Sequence, residues 1–207
     1  MNTRSALALI ALSLCIAFCG CKPNIELAKP PKPERPDAVN LPVELREWNW
    51  VDGRRQGSCA VASSISMMRW HNQMAAADYM RRNFGGGQTE SSLKRKLDSM
   101  IDAGYPVSYV STSNGDPHFL EWASKTRRGA VLFFFPRHCV TFCGFSTDDR
   151  GREVALLLDN NRVRTFLAIP KDQFLRDWRN KYTGFALTLI GPPIPPPLWQ
   201  RVVPSQS

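Results

Sequence analysis

The stretch AVLFFFPRHCVTFCGFSTDDRGREVALLLD, residues Ala130–Asp159, contains three apolar runs that are separated by turn-forming residues. Short apolar or alternating runs bounded by proline, glycine and aspartate are typical of antiparallel strands. Two further runs of this kind, TFLAIP and GFALTLI, follow, with the helical pattern KDQFLRDWRNKY between them. The second half of the chain therefore predicts an antiparallel β-sheet interrupted by one helix.

The region before this stretch has helical periodicity instead. Spaced apolar residues predict one helix from Cys59 to about Asn83, where a run of three glycines follows. Thr89 is the predicted cap of the helix ESSLKRKLDSMIDA, and Asp116 with Pro117 begins the helix HFLEWASKTRR. The short segment YPVSYVS between them is β-prone. Because helices come first and antiparallel strands afterwards, we expect an α+β domain whose leading helices pack on the sheet.

The N-terminus differs from the body of the chain. Ala6–Phe18 is an almost unbroken apolar run, too short to span a bilayer comfortably and typical of a secretory signal. It ends at Cys19-Gly20-Cys21, which resembles a bacterial lipobox with Gly20 before the cysteine that becomes acylated. We therefore expect residues 1–20 to be a lipoprotein signal peptide and Cys21 to be the lipid anchor in the bacterial cell envelope.

Proline content divides the remainder of the chain. Residues 21–43 are rich in proline and predict a semi-rigid tether, and residues 191–207 repeat this composition as a C-terminal tail. Residues 44–190 form the predicted folded domain. The chain of 207 residues is 43% hydrophobic and 22% charged, which excludes a disordered chain and a polytopic membrane protein.

The formal net charge of the chain is +9. An excess of basic residues raises the possibility of a nucleic-acid partner. The basic residues are scattered in pairs and one triplet, and no recognised nucleic-acid motif accompanies them, so we interpret them mainly as solvated surface. We expect no nucleic-acid partner.

Three of the six cysteines belong to the N-terminal signal and anchor, which leaves Cys59, Cys139 and Cys143 in the folded part. An odd number means that at least one thiol is unpaired. Cys139 and Cys143 lie too far apart along one predicted strand to form a disulfide. Paired metal-ligand spacing is absent, so we expect neither a metal nor another cofactor.

Cys59 stands where a helix is predicted to begin, with Ser58 as its candidate cap. The partial positive charge of a helix N-terminus lowers a thiol pKa, which favours a nucleophile. The alternative is a buried cysteine that packs as a small apolar residue. A base is needed, and three histidines are present. His71 and His118 are expected on the helical surface, whereas His138 begins a strand with apolar neighbours that would fix its ring.

Asp159 and Gln56 supply the remaining parts of a thiol site. Asp159 ends an apolar strand, where its carboxylate can accept from the His138 imidazole and fix the tautomer. The alternative is that Asp159 only begins a turn with the asparagines after it. Gln56 is the candidate oxyanion donor, and the alternative is an ordinary loop glutamine.

A cysteine at the head of a helix, then a histidine at a strand start, then an aspartate at the end of the next strand, resembles the papain-like cysteine peptidases. HCVTFCGFSTDDRGREVALLLDNN followed by KDQFLRDW is most similar to the bacterial peptidase C39-like branch of that family. The resemblance implies a papain-like fold and a cysteine peptidase or amidase that acts on a peptide or protein substrate. It implies catalytic roles for Cys59, His138 and Asp159, with Gln56 at the oxyanion.

The sequence departs from the family pattern at three positions. Gln56 stands three residues before the cysteine instead of about six, Ala60 replaces a frequent glycine, and Asn160 replaces a usual proline. Since papain orients its histidine with an asparagine, Asn160 is an alternative to Asp159. A transglutaminase-like acyl transferase and a catalytically inactive binding lipoprotein are the two alternative functions.

Overall fold

The computed structural model describes Val39, residues 41–191 and Pro193. Within these residues the helices are α1 (Cys59–Trp70), α2 (Met74–Asn83), α3 (Glu90–Asp102), α4 (Pro117–Lys125) and α5 (Lys171–Asn180), and a short 3-10 helix spans Val43–Leu45. The strands are β1 (Tyr109–Thr112), β2 (Ala130–Phe133), β3 (Cys139–Thr147), β4 (Glu153–Leu158), β5 (Phe166–Pro170) and β6 (Ala186–Leu189). The predicted α+β class is confirmed. The predicted signal peptide, Cys21 and most of the tether and tail lie outside the described residues.

The six strands form one antiparallel sheet in the order β1-β6-β2-β3-β4-β5. Strand β3 is the longest and lies between β2 and β4. Its register with β4 shifts between Phe142 and Gly144, and Gly144 has a φ of 117°, a conformation that favours glycine. The first residue of β3 is therefore held between the β2–β3 hairpin on one side and the end of β4 on the other.

Neighbouring side chains of β2 point to opposite faces of the sheet, as strand geometry requires. Val131 belongs to a buried cluster with the α1 residues Val61 and Ile65, whereas Leu132 belongs to a second cluster with Phe174 of α5. Helix α4 contributes Leu120 to the second cluster. The leading helices α1 to α3 therefore pack on one face, as predicted, and α4 joins α5 on the other.

Nearly all side chains of helix α1 are buried, including those of Ser63, Ser64 and Ser66. The helix therefore lies in the interior of the domain instead of at its surface. Val39 and Leu41, at the end of the predicted 21–43 tether, are also buried and pack in one cluster with Trp70, the last residue of α1. The packed part of the chain therefore includes the last residues of that predicted tether.

The predicted helix from Cys59 to Asn83 is wrong, because the chain turns between α1 and α2. The prediction that His71 lies on the surface is also wrong. Its ring is buried, with Nδ1 2.9 Å from the carbonyl oxygen of Gly191 and Nε2 2.7 Å from that of Arg128. Asn72 follows with a φ of 59°, a conformation that asparagine tolerates better than most residues. The helix therefore ends where His71 is anchored to distant backbone.

The predicted starts of α3 and α4 are confirmed. Thr89 and Ser92 exchange side-chain and backbone hydrogen bonds in a capping box. The Asp116 carboxylate accepts from the backbone N–H of His118 at 3.0 Å, and Pro117 is the first helical residue. In the part of the chain that the structure describes, none of the helices is both long and apolar enough to cross a bilayer.

Candidate active site

Cys59 is the first residue of α1, and a tight loop holds it there. The Asp52 carboxylate accepts from the backbone N–H of Gln56 at 2.9 Å, and the Asp52 N–H donates to the Gln56 carbonyl at 3.0 Å. The Ser58 N–H donates to the carbonyl of Trp50 at 2.8 Å. The chain therefore enters α1 from a closed turn that fixes the backbone of Cys59.

Ser58 occupies the cap position of α1, but its hydroxyl does not cap the helix. The hydroxyl oxygen accepts instead from the backbone N–H of Gly86 at 2.9 Å. Gly86 has a φ of 73°, and a Cβ atom there would collide with the carboxylate of Asp52. The glycine turn after α2 therefore packs directly on the loop that precedes Cys59.

Gln56 is held by the same turn. Its side-chain oxygen accepts from the backbone N–H of Gly87 at 3.2 Å, and its side chain lines the cleft that Cys59 also lines. Because the oxygen is committed to Gly87, the amide nitrogen is the group that can donate to a bound molecule. As the first residue of its helix, Cys59 also has a backbone N–H without an intrahelical acceptor.

His138 lies immediately before β3, at the end of the β2–β3 hairpin. The turn is closed by hydrogen bonds from Phe134 N–H to the His138 carbonyl at 3.2 Å and from His138 N–H to the Phe135 carbonyl at 3.3 Å. Phe135 and Arg137 have φ angles of 69° and 57°. Non-glycine residues with positive φ are uncommon and often occur at functional sites. The Phe135 ring stacks on the imidazole, with centroids 6.4 Å apart.

The imidazole of His138 is held between Asp159 and Cys59. Nε2 lies 2.8 Å from Oδ1 of Asp159, and both side chains are mostly buried, at 17% and 15% exposure. The Asp159 carboxylate also accepts from the backbone N–H of Asn161 at 2.9 Å, which fixes its orientation. Since Nε2 faces Asp159, Nδ1 is the ring nitrogen left for the thiol of Cys59, which interacts with the imidazole strongly enough to shift the pKa values of both groups. The structure brings the three predicted residues together.

Cys59 and His138 shift each other's pKa in opposite directions. Burial raises the pKa of the Cys59 thiol, but hydrogen bonds from His138 and from the N–H groups of Cys139 and Ala60 lower it below its ordinary value. Burial lowers the pKa of His138, but its hydrogen bonds with Cys59 and Asp159 raise it above its ordinary value. Both shifts favour a thiolate beside an imidazolium, which is the reactive form of such a pair.

The other two cysteines of the described chain have raised pKa values, in contrast to Cys59. Cys139 and Cys143 are fully buried on β3, and no disulfide joins them to each other or to Cys59. Burial raises the pKa of the Cys139 thiol well above its ordinary value and raises that of Cys143 to about 12. No group of three or more His, Cys, Asp or Glu side chains in the described residues is arranged to hold a metal ion. Of the three cysteines in the described residues, Cys59 is the one whose pKa is lowered and whose side chain is not fully buried.

The Asn160 side chain makes no hydrogen bond to His138, whereas the Asp159 carboxylate does. The Asn160 side chain is buried, and its amide nitrogen lies 2.9 Å from each of three acceptors that share its two N–H groups, namely the carbonyl oxygens of Cys59 and Cys139 and the hydroxyl of Ser63. It therefore connects the first turn of α1 to the start of β3. The sequence shows only that Asn160 follows Asp159 and carries no signal for this contact.

These residues lie in an open cleft of about 1130 Å³ between the loop before α1, the start of α3 and the β2–β3 hairpin. Its lining includes Cys59 and His138, the polar side chains of Gln56 and Gln88, and the aromatic ring of Tyr182. The remaining histidine, His118, is exposed on α4, as predicted, and lies outside this cleft. The cleft gives a ligand direct access to the reactive thiol.

Comparisons with protein-family models, with curated proteins and with solved structures found no match for this chain. The contacts of Cys59, His138 and Asp159 therefore carry the functional interpretation. Together they bring a thiol, an imidazole and a carboxylate next to one another. Such an arrangement can perform nucleophilic acyl transfer.

Proposed function

We propose that this protein is a papain-like cysteine peptidase or amidase, anchored by a lipid in the bacterial cell envelope. One observation carries the proposal. The His138 imidazole lies between the Asp159 carboxylate, 2.8 Å from Nε2, and the thiol of Cys59 at a helix N-terminus, and its pKa is raised by both. The order of cysteine helix, histidine strand and aspartate strand end supports the papain-like assignment.

In the proposed reaction the Cys59 thiolate attacks the carbonyl carbon of a substrate amide and forms a carbon–sulfur bond. The imidazolium of His138 donates its Nδ1 proton to the leaving nitrogen as the carbon–nitrogen bond breaks. A water molecule then attacks the thioester, His138 accepts its proton, and the carbon–sulfur bond breaks to release the acid. Asp159 keeps the ring in the orientation that both steps require.

The oxyanion that forms during both attacks needs hydrogen-bond donors. The amide nitrogen of Gln56 and the backbone N–H of Cys59 are the proposed donors, since the Gln56 oxygen is already held by Gly87. Donors fixed before the reaction stabilise the developing charge without further reorganisation. Gln56 therefore has a role in the transition state and none in forming the thiolate.

The contrast among the cysteines supports an active enzyme over an inactive binding protein. A purely structural Cys59 would resemble Cys139 and Cys143, whose thiols are fully buried and have raised pKa values. The pKa of Cys59 is lowered instead, and its side chain lines an open cleft. A reactive thiolate is the expected consequence.

The test uses the mature full-length chain in detergent. We expect a peptidyl acyloxymethyl ketone to label Cys59 and no other residue, and we expect hydrolysis within a mixed peptide library. Cys59→Ala should abolish both, whereas the matched variant Cys143→Ala should keep them. Equal hydrolysis by the wild type and Cys59→Ala, or a wild type that is neither labelled nor active, would contradict the proposal.

Product analysis separates hydrolysis from acyl transfer. The thioester of a hydrolase reacts with water even when a primary amine is present, so we expect free acids as the main products. If glycine methyl ester or a lysine derivative is incorporated into most of the product, the protein is a transglutaminase-like acyl transferase. In that case the same Cys59, His138 and Asp159 carry the reaction.

A further inference from the structure

Two arginines lie at the rim of the candidate active site. Arg55 stands four residues before Cys59, Arg137 directly precedes His138, and both line the cleft. Both side chains are exposed, and neither forms an ion pair or hydrogen bond with another described residue. Their φ angles are 61° and 57°, so both sit at turns with left-handed backbone. Each of the two loops that position Cys59 and His138 therefore carries one guanidinium group without a partner among the described residues.

Two helix N-termini add to this positive potential. Helix α1 begins at Cys59, and helix α3 begins at Glu90, and residues of both first turns line the cleft. The N-terminus of a helix carries a partial positive charge and a set of backbone N–H groups without intrahelical acceptors. The capping box of Thr89 satisfies one of these groups in α3. The two helix ends therefore add partial positive charge to the cleft that the arginines line.

The lining of the cleft contains fewer carboxylates than basic side chains. Glu90 supplies the one carboxylate among the described lining residues. Lys181 adds a cation to the two arginines. Lys181 is already paired with Asp177 at 2.8 Å. Among the lining residues, the guanidinium groups of Arg55 and Arg137 therefore outnumber the one carboxylate of Glu90. The Asp159 carboxylate beside the catalytic pair is already taken up by the His138 imidazole. The arginines are thus the cations of the lining with which a substrate carboxylate can pair.

We propose that the substrate is a peptide with a carboxylate close to the scissile amide, and that Arg55 and Arg137 bind this carboxylate. The inference rests on the proposed function, since it names the substrate class of that site. A guanidinium group matches a carboxylate through two parallel hydrogen bonds, and the partly apolar wall of Phe135 strengthens such a pair. An acidic side chain and the C-terminal carboxylate of the peptide offer the same chemistry.

The first experiment compares three pools of blocked peptides that differ only in charge. One pool has Glu at a fixed position and an amidated C-terminus, the second has Gln there, and the third has Gln with a free C-terminal carboxylate. We expect kcat/KM to be about tenfold higher for one or both of the charged pools than for the neutral one. The more active charged pool identifies which carboxylate is recognised.

Variants of the two arginines test whether the preference for charged peptides arises in the cleft. Arg55→Gln and Arg137→Gln should each reduce the charged-to-neutral ratio of kcat/KM, and Arg137→Lys should retain part of it. The matched control Arg150→Gln, on the exposed turn between β3 and β4, should keep the wild-type ratio. A ratio near one in the wild type, or a ratio that the cleft variants leave unchanged, overturns the inference.

A binding experiment separates this inference from the proposed function. Fluorescence anisotropy of the three pools, labelled with a neutral coumarin, is measured with Cys59→Ala, which cannot hydrolyse them. Tighter binding of a charged pool that Arg137→Gln weakens supports the inference even if the wild type hydrolyses nothing. Equal binding of all pools overturns it, even if the wild type is an active peptidase.

Discussion

The side-chain amide of Asn160 donates a hydrogen bond to the backbone carbonyl of Cys59, with 2.9 Å between Asn160 Nδ2 and Cys59 O. The same nitrogen lies 2.9 Å from the carbonyl oxygen of Cys139, the residue after His138. The residue that follows Asp159 therefore holds together the two backbone segments that carry the thiol and the imidazole. The distance between those side chains depends on this connection as well as on their own hydrogen bond.

Asn160→Ala should lower stability and turnover without changing the ionisation of His138. The variant removes a buried donor from the carbonyl groups of Cys59 and Cys139, and loss of a typical intramolecular hydrogen bond costs about 0.5–1.5 kcal/mol. We expect a lower free energy of unfolding in urea and a lower kcat, with an unshifted alkaline limb of the pH–rate profile. The exposed Asn83, whose amide contacts only its own helix, gives the matched control Asn83→Ala.

Asp159→Asn should lower activity and also move the alkaline limb of the profile to lower pH. The carboxylate of Asp159 raises the pKa of His138, so the wild-type imidazolium persists to higher pH than in the variant. We expect kcat/KM to fall by about 10²-fold or more, as when a base loses its correct tautomer. Asp148→Asn, at a surface ion pair with Arg152, is the control. A larger shift of the limb in Asn160→Ala than in Asp159→Asn would reverse the two roles.

Gln56→Ala should lower kcat and leave the reactivity of Cys59 unchanged. Loss of one oxyanion donor reduces kcat by about 10²- to 10³-fold, since the interaction forms only in the transition state. The rate of alkylation of Cys59 by iodoacetamide reports thiolate formation and not the oxyanion, so we expect it to match the wild type. The exposed Gln173 on α5 provides the control Gln173→Ala. Equal losses of hydrolysis and alkylation in Gln56→Ala would place Gln56 in thiolate formation instead.

His71 should make the folded state less stable as the pH falls. Burial, chiefly, and the charge of Arg128 lower its pKa despite hydrogen bonds to two carbonyl oxygens that raise it. Above its ordinary pKa of about 6.5 the ring is neutral in both states, and below that value the unfolded chain binds the proton first. The stability is thus present at neutral pH and lost as the pH falls from about 6.5 toward the lower folded pKa, by about 1.4 kcal/mol for each pKa unit of difference.

The measurement for His71 is urea unfolding at about pH 7.5 and about pH 5.5. His71→Gln should have a smaller difference between the two free energies of unfolding than the wild type. The exposed His118 supplies the control His118→Gln, which should keep the wild-type difference. An unchanged pH dependence in His71→Gln would show that other groups cause it.

Cys21→Ala should release the protein from membranes. The prediction depends on the short apolar run and Gly20-Cys21, which lie outside the described residues. Fractionation of cells that express the wild type, Cys21→Ala and the neighbouring variant Cys19→Ala measures it. We expect only Cys21→Ala to lose the membrane fraction and the acyl mass on its N-terminal peptide. Membrane association that survives Cys21→Ala would place the anchor elsewhere.

The sequence by itself determined the α+β class and most element positions, because their signals are local. Alternating apolar runs between turn residues predicted the later strands, and the caps at Thr89 and Asp116 marked the starts of α3 and α4. The same local signals located Cys59 at a helix start, His138 before a strand and Asp159 after one. These features depend on neighbours within a few residues, which is the range that periodicity and capping report.

The tertiary structure alone decided the contacts between distant segments. It ended α1 at Trp70 by burying His71 against the carbonyls of Arg128 and Gly191, which no local pattern indicates. It moved the Ser58 hydroxyl from the helix cap to Gly86 and assigned Asn160 to backbone anchoring instead of histidine orientation. Each of these contacts joins residues at least 21 positions apart in the chain, since the shortest separation is that of Asn160 and Cys139. Sheet formation and helix packing bring such residues together, and periodicity within one segment carries no information about them.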